Sequence, residues 1–224
     1  MTKSIYCVKG NRLLIVDEKL NISIDIDFCI SDDKADFSEG IIHEVKEYYP
    51  SKILKAKRHY LGKKLHGPST YFFENGQIAS KSWYVNGEKQ GKSFQYYKNS
   101  RIYSLQRYKN NLKQGSHKYF YEDSTLKSEF FYKNDLLDKK AVLFWENGQI
   151  KREMHFLNGK RQGFDKIFSY DQKLLFVGEY ENGVPIGIHK SYDEKGTLRE
   201  EISYKGETYE KSSYNHLGNL IVDE

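Results

Sequence analysis

The chain has 224 residues, with 36 Lys+Arg against 31 Asp+Glu and a formal net charge of +5. That balance excludes a protein that coats duplex nucleic acid through many unopposed cations. Three Pro and no Gly/Ser/Pro tract exclude a disordered linker. The longest purely aliphatic run, Leu13–Val16, is far short of the roughly 20 apolar residues of a membrane-spanning helix.

Residues 1–42 come first. MTKSIYCVKGNR has no apolar core behind Lys3, so no signal peptide is expected. Two cysteines, Cys7 and Cys29, build no disulfide framework, and the expected location is a reducing cytoplasm. Asn21–Ile30 alternates Ile22, Ile24, Ile26 and Phe28 with Ser23, Asp25 and Asp27, which predicts a strand with one buried face. Leu13–Val16 is its expected hairpin partner. Residues 1–50 carry 6 Lys+Arg and 10 Asp+Glu, a charge of −4, which leaves +9 for 51–224. Terminal units of a repeat protein must hide an open edge, so 1–42 reads as an N-terminal β cap, the alternative being a small separate domain.

From His43 onward the sequence repeats every 24 residues without a gap, and the repeat is clearest from Gly67. Seven units reach Glu210, and a partial eighth, YNHLGNL at 214–220, follows two residues out of register. A finer step of 12 from Tyr48 to Tyr204 lands on Tyr or Phe every time, in a chain that is 15% aromatic. Each half-unit is a run rich in Tyr, Phe, Ile and Thr followed by a turn signal. Glu74-Asn75-Gly76 and Glu146-Asn147-Gly148 exemplify the first turn, and Asn86-Gly87 and Asn158-Gly159 the second. Asn and Gly tolerate the positive φ of tight hairpins. The prediction is an all-β, elongated antiparallel β-meander of hairpin repeats covering 43–224, about seven and a half units long. At about 4.8 Å per strand, some fifteen strands span roughly 70 Å.

A three-residue first turn sets Phe72 opposite Ile78. It likewise pairs Tyr96 with Ile102, Phe120 with Leu126, Phe144 with Ile150, Phe168 with Leu174 and Tyr192 with Leu198. Each such pair contributes roughly 0.2–1 kcal/mol. The second ring series (Tyr84, Tyr108, Tyr132, Phe156, Tyr180, Tyr204) is expected near the unit-opening Gly67, Gly91, Gly115, Gly163 and Gly187, where a ring can cover a glycine backbone. Alternation is expected to put both series and the Ile/Leu positions on one face.

The unit G-x-x-x-x-[YF]-[YF]-x-N-G-x-[IL]-x-x-x-x-x-Y-x-N-G, clearest at 67–90 and 139–162, resembles the MORN repeat in the variant found in bacterial antitoxin components of the YwqK type. The resemblance covers about residues 43–220. It implies an array of MORN-type β-hairpins used for binding, often as the neutralising partner of a toxin. It offers no catalytic residues to carry over. Lys52, Gln172, Asp135 and Glu207 stand where Gly is expected, and Lys139 replaces a unit-opening Gly. Those loops are expected to differ in conformation.

No phosphate-binding, dinucleotide, zinc-protease, nucleophile-elbow or CxxC motif is present. His43, His59, His66, His117, His155, His189 and His216 do not cluster in the sequence. Glu129, Glu153 and Glu201 share one repeat position beside Lys127, Lys151 and Arg199, which reads as solvated charge on a strand face. The expectation is no enzyme, no cofactor and no metal.

Beside the rings of the 12-residue step run Phe73, Trp83, Tyr97, Arg107, Tyr121, Phe131 and Trp145, together with Tyr49, His59 and His155; the last third turns polar at Ser169, Glu179, Asp193 and Ser203. Aromatic and Arg side chains supply binding hot spots, so the row from Phe73 to Trp145 is the candidate partner-binding stripe. The competing reading has these rings packing on each other. Lys52, Lys55, Lys57, Arg58, Lys63 and Lys64, with His59 and His66, form a basic run that could meet phosphate, anionic lipid or an acidic protein, or could be a solvated face. The expected partner is a protein, a cognate toxin blocked by occlusion. The alternative is a MORN-type scaffold or membrane-lipid-associated adaptor, and nucleic acid is the least favoured partner.

Overall fold

The computed structural model describes residues 4–9, 12–17, 22–27 and 42–221. They fall into two compact units, 1–113 and 114–224. All regular structure in the described residues is β, and no helix among them is long and apolar enough to cross a membrane.

In the first unit, β1 (Ser4–Lys9), β2 (Arg12–Asp17) and β3 (Ile22–Asp27) form an antiparallel sheet of their own. Leu13 pairs with Ile26 and Ile15 with Ile24, the hairpin that the alternation predicts. β1 went unpredicted because Ile5–Val8 is an unbroken run without the period-2 signal. Phe28, Cys29 and Ile30 of the expected strand lie outside the described residues. The repeats then supply β4 (Ile42–Tyr48), β5 (Leu54–Leu61), β6 (Lys64–Phe72), β7 (Ile78–Val85), β8 (Glu88–Tyr96), β9 (Ile102–Lys109) and β10 (Leu112–Lys113), each paired antiparallel with the next.

The second unit continues the pattern. Its strands are β11 (Gly115–Phe120), β12 (Leu126–Lys133), β13 (Leu136–Phe144), β14 (Ile150–Leu157), β15 (Lys160–Arg161), β16 (Gly163–Phe168), β17 (Leu174–Glu181), β18 (Val184–Tyr192), β19 (Leu198–Lys205), β20 (Thr208–Tyr214) and β21 (Leu220–Ile221). β14 pairs with both β15 and β16. Tyr214 opposite Leu220 closes the partial eighth unit.

The first turns share one geometry. Phe73 N–H donates to Gln77 O at 2.7 Å and Gly76 N–H to Phe73 O at 2.9 Å, and the same two bonds recur from Tyr49 to Asn219. The third loop residue is left-handed, as a type I turn closed by a bulge requires. Gly76 (φ 81°) fills it here, but Lys52 (63°), Ser100 (66°), Ser124 (79°) and Gln172 (63°) adopt the same conformation. Asn134-Asp135 and Lys139 are likewise left-handed, like Asn86-Gly87 and Gly163 at the equivalent sites. The expectation of different loops is therefore corrected at Lys52, Gln172, Asp135 and Lys139. The hydrogen-bonded neighbours enforce the backbone, and the side chain bears the strain. The Glu207 turn departs, with positive φ at Gly206 alone, as does the Gly62 turn.

The predicted registers are present. Phe72 faces Ile78, Tyr96 faces Ile102, Phe120 faces Leu126, Phe144 faces Ile150, Phe168 faces Leu174 and Tyr192 faces Leu198. Gly67 lies opposite Tyr84, Gly91 opposite Tyr108 and Gly163 opposite Tyr180, with Lys139 opposite Phe156 in the unit that lacks the glycine. The two ring series, however, occupy opposite faces. Gly67, Ser69 and Tyr71 share the first face with Tyr84, Ser82 and Ser80; Phe72 shares the second with Pro68, Thr70, Lys81 and Trp83. The single-face expectation fails because an extra residue, Ala79, is bulged between Ile78 and Ser80, so the 12-residue step changes face.

One column on the first face is buried in six successive repeats: Ser69, Ser93, His117, Ala141, Asp165 and His189. Rings cover it. Tyr132 lies 4.7 Å from the His117 ring, and Tyr180 and Tyr204 lie 5.1 and 4.7 Å from His189. Among the described residues the fully apolar core is small: Ala56, Trp83, Ala141, Val142 and Met154. Small or hydrogen-bonded side chains beneath aromatic covers take the place of a two-layer interior.

Candidate functional site

The candidate stripe resolves into two rows separated along the strands. Phe73, Tyr97, Tyr121 and Trp145 sit at the first turns, half-buried. Trp83, Arg107 and Phe131 sit toward the second turns, five residues or roughly 16 Å back.

The first-turn row fastens one repeat to the next. Tyr49 Oη donates to Phe72 O at 2.8 Å, Tyr121 Oη to Phe144 O at 2.8 Å and Trp145 Nε1 to Phe168 O at 3.2 Å. Each ring also meets the side chain six residues on. Lys127 Nζ lies 5.3 Å from the Tyr121 ring centre, and Lys151 Nζ 4.2 Å from that of Trp145. Tyr103 meets Tyr97 edge-on at 5.2 Å. Where Asp193 replaces the ring, Arg199 replaces the cation and the two form an ion pair at 3.4 Å. Lys127 and Lys151 thus serve the rings, while the glutamates pair across strands: Glu129 with Lys118 (3.6 Å), Glu153 with Lys140 (2.9 Å) and Glu201 with Lys190 (3.2 Å).

In the second-turn row, Trp83 is buried at 7% exposure, and its indole N–H finds no acceptor among the described residues. Arg107 is exposed and Phe131 half-buried. Two apolar side chains at equivalent positions were not in the predicted row: Phe164 and Ile188, 50% and 51% exposed on the second face. A 24-residue step from Pro68 through Lys92, Ser116 and Lys140 reaches both.

The basic run is half neutralised. Glu47 binds Lys55 (2.7 Å) and Arg58 (2.8 Å), and Glu44 binds Lys57 (2.8 Å) and Lys46 (3.3 Å). The Lys55 ammonium holds the Glu47 carboxyl below the usual carboxylate range. Burial opposes the charge on Glu44, but Lys57 and Lys46 outweigh it and hold its carboxyl low as well. Lys52, Lys63 and Lys64 are exposed, the first at a first turn and the others at a second, so the structure does not bring the six cations together. Neither histidine of this run presents a free imidazole. His59 Nδ1–H donates to Pro68 O at 2.8 Å, and burial pushes the pKa of both His59 and His66 down.

The sequence reading also missed a buried ion cluster. Asp165 accepts from Arg152 Nε (2.9 Å) and Nη2 (2.6 Å), with Arg161 Nη1 at 3.3 Å. No group of three or more His, Cys, Asp or Glu among the described residues is placed to hold a metal ion.

Four segments, 65–86, 113–134, 137–158 and 185–205, match the MORN repeat variant family. Their starts differ by multiples of 24 residues, so they lie in the register of the structural hairpins. No curated protein matches the chain. MORN-type hairpins in this arrangement make a repeat scaffold or binding protein.

Proposed function

We propose that this chain is a non-enzymatic binding protein of the antitoxin or immunity type, which neutralises a bacterial toxin in the cytoplasm by covering it. One observation carries the reading. The backbone repeats with a constant register, yet the second-face residue that follows each unit-opening position varies freely: Pro68, Lys92, Ser116, Lys140, Phe164 and Ile188. The scaffold is fixed by rings, turns and the buried column, and this row is left to recognition. Half-exposed Phe164 and Ile188 lie among polar neighbours, the pattern of an interaction surface. In the first-turn row, Phe73, Tyr97, Tyr121 and Trp145 keep part of each ring in solvent, and Tyr121 and Trp145 also join repeats, so they extend the contact surface.

The test is co-purification from the native host at physiological salt, with viability scored when a gene encoded beside this one is expressed with and without it. A one-to-one complex and rescue of growth are expected. Recovery of the chain alone, with no rescue by it, overturns the toxin reading.

A further inference from the structure

On the second face, cations are as a rule met by acids of the same chain. Lys57 is bound by Glu44, Lys118 by Glu129, Lys140 by Glu153 and Lys190 by Glu201. Lys166 stands opposite Glu153 in register. β7 and β8 break this rule. Lys81 stands between Thr70 and Phe94, and Lys92 stands opposite Arg107. Neither lysine has an acidic partner among the described residues, and both are exposed. A second observation comes from the same face: Trp83, two residues from Lys81, keeps a buried indole N–H without an acceptor among the described residues. The polar groups of Lys81, Lys92 and Trp83 are all donors, and no described residue supplies the acceptor that would complement them.

Resting on the reading that the chain binds a protein, we propose that this face of the first unit, around Lys81, Lys92 and Phe94, seats an extended acidic segment of that partner. Lys81 lies one strand across from Phe94, and Lys92 lies two residues along from it. That places the two lysine Cα atoms about 8 Å apart, close to the roughly 7 Å between alternate residues of an extended chain. Two carboxylates at i and i+2 of such a segment can meet both ammonium groups. The apolar flank suits a polypeptide: Leu105 faces Phe94, and the Phe94 and Tyr96 rings stack on each other at 6.4 Å, which leaves neither with both faces open to a nucleobase.

Fluorescently labelled poly-L-glutamate is the probe, with poly-uridylate and phosphatidylserine vesicles as the other arms. K81Q/K92Q should weaken poly-L-glutamate binding about tenfold, the size expected for two partly exposed ion pairs. K98Q/K109Q, which removes the same charge from a first turn and from the end of β9, should leave binding within about twofold, and K81R/K92R should retain it, which separates loss of charge from loss of fold. Equal weakening by K81Q/K92Q and K98Q/K109Q overturns the proposal. Tighter, Lys81- and Lys92-dependent binding of poly-uridylate or of vesicles overturns it in favour of phosphate recognition. If a host protein is captured equally well by the wild type and K81Q/K92Q, this seat is wrong and the protein-binding reading stands. If the wild type captures none, both fall.

Discussion

Asp165→Ala isolates the buried ion cluster. The carboxylate is 1% exposed and holds both Arg152 nitrogens, with Arg161 behind them. Removing one partner of a buried pair costs about 3–5 kcal/mol because the other charge is stranded. The Arg152 side chain is 30% exposed and can recover some hydration, so the lower end, about 3 kcal/mol, is expected. For a chain of this size that corresponds to a loss of roughly 6–12 °C in Tm. The repeat itself supplies the control. Ala141 sits at the equivalent of Asp165 one unit earlier, and Ser128 at the equivalent of Arg152. D165A/R152S therefore rebuilds a pattern that the neighbouring hairpin already tolerates and should recover most of the loss. Urea unfolding followed by circular dichroism and Trp fluorescence measures both. If D165A costs less than about 1 kcal/mol, or the double variant is worse than the single, the cluster is not the constraint described.

Tyr121→Phe removes the hydroxyl donated to Phe144 O and should cost about 1 kcal/mol in the same assay; no change would show the bond between repeats to be idle. Gly178→Ala would put a Cβ 2.6 Å from His189 Nδ1, so that ring must leave the pocket between Tyr180 and Tyr204. A Tm drop of several degrees is expected, and an unchanged Tm refutes the packing. Lys139→Gly relieves a left-handed lysine (φ 67°) and should stabilise by about 0.5–1 kcal/mol, read as a rise in Tm. Burial lowers the pKa of His59 and His66, so the unfolded chain binds more protons below the usual value of 6.5. Their contribution is complete above that pH and is lost as pH falls toward the folded values. The slope is at most about 1.4 kcal/mol per pH unit for each group. His59→Gln with His66→Gln should flatten the decline in Tm between pH 7.5 and 5.5, and an unchanged decline would assign it to other groups.

Turn positions and cross-strand pairs were legible in the sequence because ring spacing and Asn-Gly turns are local signals that the backbone obeys. Which face each ring occupies was not, because one bulged residue, such as Ala79, reverses the parity without leaving a compositional mark. The strained loops were misread for a related reason. Hydrogen bonds from flanking strands impose positive φ on Lys52 and Gln172, and sequence preference shows only the cost. The buried column was hidden by chemistry that changes from Ser to His to Ala to Asp along a constant period. At the candidate site, residue types pointed to a surface, but the pairing of Lys55 and Lys57 with Glu47 and Glu44 depends on strand register and could not be read beforehand.

The bonds from Tyr49, Tyr121 and Trp145 each reach a carbonyl 23 residues ahead. Excising one whole 24-residue period brings an equivalent carbonyl to the same ring and restores the ladder. Excising twelve exchanges the two kinds of turn and leaves the donor facing the wrong edge. A gene for such a chain can therefore lengthen or shorten in steps of one period, altering how much surface it offers while every surviving joint stays intact.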